Sequence, residues 1–178
     1  NKKKIVDSAS INSKKMPDKS IFIGIKGKKY DGNKFGDEAV CNGAILAITN
    51  KNKKNSKMIF QRYPLKFFNE ISSNYRKSLN ANTIAITGSC GKTSVKELIG
   101  FCLKKLEKTY FSKKSFNNKY GVPLSIFNTP EKTKHLVLEV GMDKKGEIDN
   151  LTKLIRPNIG LITNISYAHI KNFTNLNQ

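Results

Sequence analysis

An α/β fold is predicted in two parts: a small α/β unit over residues 1–80, then, over residues 81–178, the first part of a parallel-sheet domain built around a phosphate loop. Three observations predict it. The apolar, β-branched run Thr83-Ile84-Ala85-Ile86 leads into Thr87-Gly88-Ser89-Cys90-Gly91-Lys92-Thr93-Ser94, and a helical pattern follows with Val95, Leu98, Ile99, Cys102, Leu103 and Leu106 on one face. Strand, glycine turn and helix in that order are the context a phosphate-binding loop requires. Residues 135–140 and 159–165 are near-continuous apolar runs separated by a helical segment, which suits parallel strands covered on both faces and joined by right-handed crossovers. Between the parts, Asn80-Ala81-Asn82 marks the boundary.

In the first part, Ile5-Val6 leads into Asp7-Ser8 and a polar stretch ending at Met16-Pro17-Asp18-Lys19. Ser20-Ile21-Phe22-Ile23-Gly24-Ile25 reads as a strand, and residues 26–32 as a turn-rich loop. Residues 35–42 are helix-like, and Gly43 ends them. A buried strand over 44–48, a charged turn over 51–57 and a short strand over 58–60 follow. Pro64 opens a helix to about Leu79, with Leu65, Phe68, Ile71, Ser72 and Tyr75 on one face.

In the second part, the loop and its helix are followed by a short strand, Thr109-Tyr110-Phe111. The polar loop 115–121 comes next, then a short helix opened by Val122-Pro123-Leu124, proline being tolerated in a first turn. After the strand 135–140, Gly146-Glu147 begins a helix that runs to Ile155 and stops before Pro157. No internal repeat is present.

Composition narrows the function classes. With 178 residues and 38% hydrophobic content the chain can bury a core in one domain or two small ones. No apolar run approaches the ~20 residues a membrane span needs. Asn1-Lys2-Lys3-Lys4 is basic, but no long apolar segment follows, as a secretory leader would require. Cys41, Cys90 and Cys102 give no metal-ligand spacing and no even disulfide framework, which suits a reducing cytoplasm. The net charge of +20 is spread from Lys2 to Lys171 rather than massed on one segment. Lys, Asn and Ile, all with A/T-rich codons, are abundant together, so base bias accounts for the charge without nucleic acid. A basic surface still steers anionic substrates.

The chemistry centres on the loop. Gly88 and Gly91 let the backbone turn tightly and aim N–H groups at one oxyanion. The helix starting near Gly91 adds its positive end. Lys92 supplies a mobile cation for the β/γ-phosphates, and the Thr93 hydroxyl is placed to ligate Mg²⁺. The ATP-binding stretch is therefore Gly88, Ser89, Cys90, Gly91, Lys92, Thr93 and Ser94. In the common G-x-x-x-x-G-K-[ST] pattern the first glycine would fall at Ile86, so this is the shorter form T-G-S-x-G-K-T. The Cys90 thiol is incidental there. Glu139 ends a strand otherwise built of Leu and Val, on the sheet edge that carries the loop, within reach of a Mg²⁺ at Thr93. His169 follows the next strand on the same edge, where a lone histidine carries little by itself. Asn117 and Asn118 can face the nucleotide or a second substrate, although Asn is common in loops.

Taken together, T-G-S-C-G-K-T-S (87–94), S-F-N-N-K-Y-G-V-P (115–123), L-E-V-G-M-D-K-K-G-E-I (138–148) and R-P-N-I-G-L-I-T-N-I-S-Y-A-H-I (156–170) resemble the Mur ligases of peptidoglycan synthesis. The second and third blocks are similar to the branch that joins D-Ala-D-Ala to UDP-MurNAc-tripeptide. Asp7-Ser8, residues 20–27 and Tyr30-Asp31-Gly32 look like that family's UDP-substrate domain. The resemblance implies a UDP-MurNAc-substrate-binding domain over 1–80 and an incomplete central ATP-binding domain over 81–178. It implies ATP-dependent amide formation: ATP phosphorylates the terminal carboxylate of the UDP-MurNAc-peptide, and the D-Ala-D-Ala amine displaces phosphate. By motif, Lys92, Glu139 and His169 are the catalytic residues, and Thr93, Glu139 and His169 the Mg²⁺ ligands, with His169 on a second Mg²⁺. Asp7, Ser8, Asn117 and Asn118 are the substrate-binding candidates. The expected cofactors are ATP and Mg²⁺, and the expected partners are the two substrates, with no nucleic acid and no membrane span, in a cytoplasmic monomer.

Two departures bear on this. Ala9 stands where the family usually has arginine after Asp-Ser, which touches UDP-sugar binding. The family also continues beyond the equivalent of Gln178, with a lysine that is carbamylated and a C-terminal domain. The expectation is therefore a fragment of a longer ligase that does not turn over alone, with an unpaired sheet edge. Three other readings stay open: a Mur-type ligase with a different amine substrate, a P-loop module that binds ATP without catalysis, and a basic nucleic-acid binder.

Overall fold

The computed structural model describes residues 6–27, 30–51 and 55–166. The chain divides into two compact units, Asn1–Ile71 and Ser72–Gln178, the division falling inside a helix.

The first unit holds a four-stranded parallel sheet in the order β1-β2-β3-β4, with β1 Ser8–Ser10, β2 Ser20–Ile23, β3 Leu46–Thr49 and β4 Met58–Phe60. The central strands carry the apolar density that predicted them: Ile21, Phe22, Ile23, Ala47 and Ile48 are buried. A 3-10 turn, Gly32–Phe35, leads into α1, Gly36–Cys41, which packs over β2 and β3. Phe22, Ala39, Ala44 and Ala47 form the core between them. As expected, Gly43 ends α1, with φ +103, a left-handed conformation that favours glycine. The strand β1 was not anticipated: its Ser-Ala-Ser sequence has no apolar pattern, and it forms by pairing Ser8, Ala9 and Ser10 with Ser20, Ile21 and Phe22. The helix α2, Pro64–Ser78, starts at its proline as the sequence indicates.

The second unit holds a second four-stranded parallel sheet, with β5 Asn82–Thr87, β6 Thr109–Phe111, β7 His135–Glu139 and β8 Ile159–Ile162 in the order β6-β7-β5-β8. Three helices join them: α3 Lys92–Lys104, α4 Gly121–Phe127 and α5 Glu147–Ile155. The β5-to-β6 and β7-to-β8 crossovers step across the sheet in opposite directions. Right-handedness of both puts α3 and α5 on opposite faces. Accordingly α3 packs over β5, β6 and β7, while α4 and α5 pack on each other and on β7 and β5 respectively. Ala85, Val122, Ile126, Leu136, Leu138, Leu151 and Ile155 lie in that second core. Arg76, near the end of α2, ties this unit together: its Nε donates to the Ile155 carbonyl at 2.8 Å and its Nη2 to that of Arg156 at 3.2 Å.

Two expectations are corrected. The strand expected over 159–165 pairs only over Ile159–Ile162. It lies at the sheet edge with Ile159 and Ile162 exposed, so coverage on both faces does not extend to it. The inward face of α3 is only in part the one the apolar residues mark: Val95, Ile99 and Leu103 are half-buried. Its buried residues are Lys96 and Gly100, whereas Leu98 and Leu106 are 65% and 78% exposed and Cys102 is exposed. Gly100 explains part of this: a Cβ there would come within 2.5 Å of the Phe111 ring, so the missing side chain lets α3 lie close on β6.

Candidate active site

The site grows from the C-terminal end of β5. Gly88 (φ +133) and Gly91 (φ +78) take the conformations that only glycine adopts freely, and α3 begins at Lys92. The first intrahelical bond runs from the Val95 N–H to the Gly91 carbonyl at 2.9 Å. The N–H groups of Lys92, Thr93 and Ser94 therefore precede it, among the orphan donors that make a helix start an anion site.

The preceding half of the loop is used differently from what the sequence suggested. Its amides do not all converge on one oxyanion position. The Ser89 N–H donates to the Asn164 backbone carbonyl at 3.0 Å, and the Cys90 N–H to the Asn164 side-chain oxygen at 2.8 Å. The Thr163 hydroxyl donates to the Cys90 carbonyl at 2.5 Å, and the Ser166 N–H to the Ser89 hydroxyl at 2.8 Å. The loop is thus pinned to the segment that leaves β8. Lys92 lies along the loop, its ammonium donating to the carbonyls of Gly88 at 2.6 Å and Ser89 at 3.2 Å. The Cys90 side chain is exposed.

Glu139 ends β7 beside this loop, where β5 and β7 pair with Ile86 opposite Glu139. It is 1% exposed. The Thr93 hydroxyl donates to its Oε2 and the Asn117 amide to its Oε1, each at 2.8 Å. The structure therefore brings Thr93, Asn117 and Glu139 into contact. Asn117 is seated by its own backbone: its carbonyl accepts from the Gly141 N–H at 2.7 Å, and a Cβ on Gly141 would crowd the Asn117 amide. Asn118 has a different place. Its side-chain oxygen accepts from the N–H groups of Tyr120 and Gly121, both at 3.0 Å, and so starts α4.

Thr93 and Glu139 suit a hard divalent cation. Both oxygens of the buried Glu139 carboxyl meet neutral donors, and among the described residues no lysine, arginine or histidine pairs with it. A buried carboxylate is costly without a cation. One carboxylate and one hydroxyl, completed by phosphate oxygens and water, form the kind of set Mg²⁺ takes. No cluster of three His, Cys, Asp or Glu occurs among the described residues. His169 lies outside them.

The other candidates sit in the first unit. Asp7 precedes β1, its N–H donating to the Lys19 carbonyl at 2.9 Å, and Ser8 opens the strand with its hydroxyl buried. Ala9 is buried at 3% exposure. A shallow hollow of about 460 Å³, lined by Asn80, Glu107, Lys108 and residues 131–134, lies where β5, β6 and β7 begin, at the opposite sheet edge from the loop. In open α/β sheets ligands bind at the C-terminal edge, so this hollow is not the candidate.

Three residues that shape the site were missed from sequence: Lys96, Thr163 and Asn164. The last two had a signal, since they follow an apolar strand on the loop's own edge. Lys96 had none, because a lysine in an amphipathic helix reads as a solvated position.

A doubly wound sheet with a phosphate loop, a buried strand-end glutamate and an asparagine on it defines the class as a nucleotide-binding domain. The chain matches the Mur ligase middle domain over residues 86–178 and the Mur ligase family catalytic domain over residues 6–87, and it belongs to the Mur ligase family. It is 34% identical over 96% of its length to the UDP-N-acetylmuramoyl-tripeptide–D-alanyl-D-alanine ligase of Haemophilus influenzae, and 36% identical over 96% to that of Buchnera aphidicola subsp. Baizongia pistaciae. It spans only 39% and 38% of the length of those curated relatives. Among solved structures, MurF from Acinetobacter baumannii matches 97% of this chain and 38% of its own, with a TM-score of 0.86 and 26% identity. The MurF ligase of Thermotoga maritima, in complex with ADP, matches 97% of this chain and 41% of its own, with a TM-score of 0.85 and 28% identity. Among the described residues no helix is long and apolar enough to cross a membrane.

Proposed function

We propose that this chain is the substrate- and ATP-binding portion of a UDP-MurNAc-tripeptide–D-alanyl-D-alanine ligase. The observation that carries the reading is the junction of three motif blocks at one point: Thr93 from the phosphate loop, Asn117 from the Asn-Asn loop and Glu139 from β7, joined by two 2.8 Å hydrogen bonds. The relatives' activity and the ADP in the Thermotoga structure support the same assignment.

In this reading the N–H groups at the start of α3 hold the ATP phosphates, and the Lys92 ammonium turns from the loop carbonyls to the phosphate oxygens. Thr93 and Glu139 hold Mg²⁺, which when bound neutralises charge between two anions that must meet. The tripeptide carboxylate oxygen attacks the γ-phosphorus and ADP leaves. The D-Ala-D-Ala amine then attacks the acyl carbon, phosphate leaves, and the amine gives up its proton as the amide forms. Asp7 and Ser8 are proposed for the UDP-substrate, Asn118 for substrate binding through the loop it orients, and His169 for a second Mg²⁺ by its motif alone. The protein is proposed to act as a monomer in the cytoplasm.

The test is phosphate release by the longest natural form of the protein, supplied with ATP, Mg²⁺ and UDP-MurNAc-tripeptide. Release that depends on D-Ala-D-Ala is expected. Release with another amine in its place would reassign the substrate within the family. ATP binding with no release for any amine would make the protein a nucleotide-binding module.

A further inference from the structure

Lys96 is the one lysine of α3 that is fully buried, its side chain 0% exposed. Its ammonium donates to two backbone carbonyls, that of Ser112 at 2.7 Å and that of Lys114 at 2.7 Å, and pairs with the Glu97 carboxylate at 3.0 Å. Both carbonyls belong to the segment that leaves β6 and ends at Asn117. Lys114 adopts φ +50, a conformation that lysine rarely takes, and its carbonyl is one that Lys96 holds. Among the described residues, no other side chain from outside the segment donates a hydrogen bond to residues 112–116.

Thr93 and Lys96 stand three residues apart on α3, so consecutive turns present them on one side. Thr93 reaches Glu139 directly. Lys96 reaches the segment whose last residue, Asn117, meets the other oxygen of Glu139. The two paths from α3 close on the same carboxylate.

We propose that Lys96 is a positioning residue for the metal–nucleotide site: its buried ammonium ties the Ser112–Lys114 segment to α3 and so sets where Asn117 holds Glu139 opposite Thr93. The inference rests on the reading of Thr93 and Glu139 as the Mg²⁺ ligands. It assigns Lys96 no contact with ATP, in contrast to Lys92 one turn earlier.

The measurement is calorimetric ATP affinity of the longest natural form, with Mg²⁺ and with EDTA, whose ratio is the metal's contribution. Lys96→Met is expected to cut that ratio about 10-fold, as loss of an outer-shell partner does, while ATP affinity in EDTA stays within about twofold. Asn117→Ala is expected to give the same pattern, and the double variant to lose no more than the worse single one, because both act through Glu139. Should Lys96→Met fail to fold by thermal melting, Lys96→Gln, which keeps a donor without the charge, reads the same ratio with a smaller loss. An unchanged ratio in a folded variant overturns the proposal. So does an equal fall with and without Mg²⁺, which would mark Lys96 as part of the fold alone. A wild-type protein whose ATP affinity ignores Mg²⁺ overturns the site reading itself.

Discussion

The two sheets are alike in size and in the parallel pairing of their strands, and differ in strand order. Both have four parallel strands, but the first runs β1-β2-β3-β4 in chain order and the second runs β6-β7-β5-β8. In the first, every connection steps the same way across the sheet. In the second, the chain leaves β5 toward one edge and later passes it toward the other, which opens a crevice at the C-terminal ends beside β5. The phosphate loop, Glu139, Asn117 and Thr163 all gather there. Asp7 and Ser8 instead lie at the N-terminal end of β1, in a sheet with no such reversal. Strand order thus explains why the candidate site residues of the second unit gather at one edge, while the proposed role of Asp7 and Ser8 rests on their family motif.

Substitutions at the crevice sharpen that contrast. Glu139→Ala is expected to lower Mg²⁺-dependent turnover of the longest natural form about 100-fold or more, since it removes the carboxylate to which Thr93 donates. A steady-state assay giving near wild-type turnover would separate the chemistry from this edge. Gly88→Ala is expected to destabilise the second unit by about 1–3 kcal/mol in denaturant titration, because φ is +133 and the new methyl would run into the Thr163 hydroxyl and the Asn164 backbone. Gly24→Ala, at the end of β2, meets neighbours at 3.0 Å without a positive φ and should cost less.

The units should also differ in pH response. Burial pushes the Tyr110 phenol up to about 12, and burial, then the Glu131 charge, pushes Tyr75 up to about 12. Unfolded, both lose their protons near 10, so their contribution is full below about pH 10 and is lost as pH rises toward 12. For Tyr110 this is about 3 kcal/mol of the second unit's stability, and Tyr110→Phe should flatten the alkaline limb of its melting profile. The first unit responds at the other end. The Asn33 amide on Asp31 holds its carboxyl below the usual carboxylate range. That stability is present above the unfolded value and fades as pH falls below about 4. Asp31 is largely solvated, so only a slight acid shift should vanish in Asp31→Asn.

Much of this was legible in the sequence because local chemistry and global fold agree. The run 83–86, the two glycines and Lys92-Thr93 specify strand, turn and helix within a dozen residues, and Glu139 is placed by the strand that ends in it. What escaped has a common cause. β1 exists only through pairing with β2, and its three residues carry no pattern of their own. The inward face of α3 is built from a glycine that permits close approach and a lysine satisfied by carbonyls 16 and 18 residues away, neither of which hydrophobic periodicity detects. Asn164 bonds to the loop 74 residues earlier, a contact that only the folded sheet creates.

The measurement that bears most directly on the phosphate loop is calorimetric Mg-ATP binding by the longest natural form beside its Lys92→Ala variant. A charge-assisted contact to phosphate predicts affinity reduced about 10- to 100-fold by the substitution, with the fold intact by circular dichroism. Equal affinity in the two proteins would contradict the account, placing the nucleotide away from the loop.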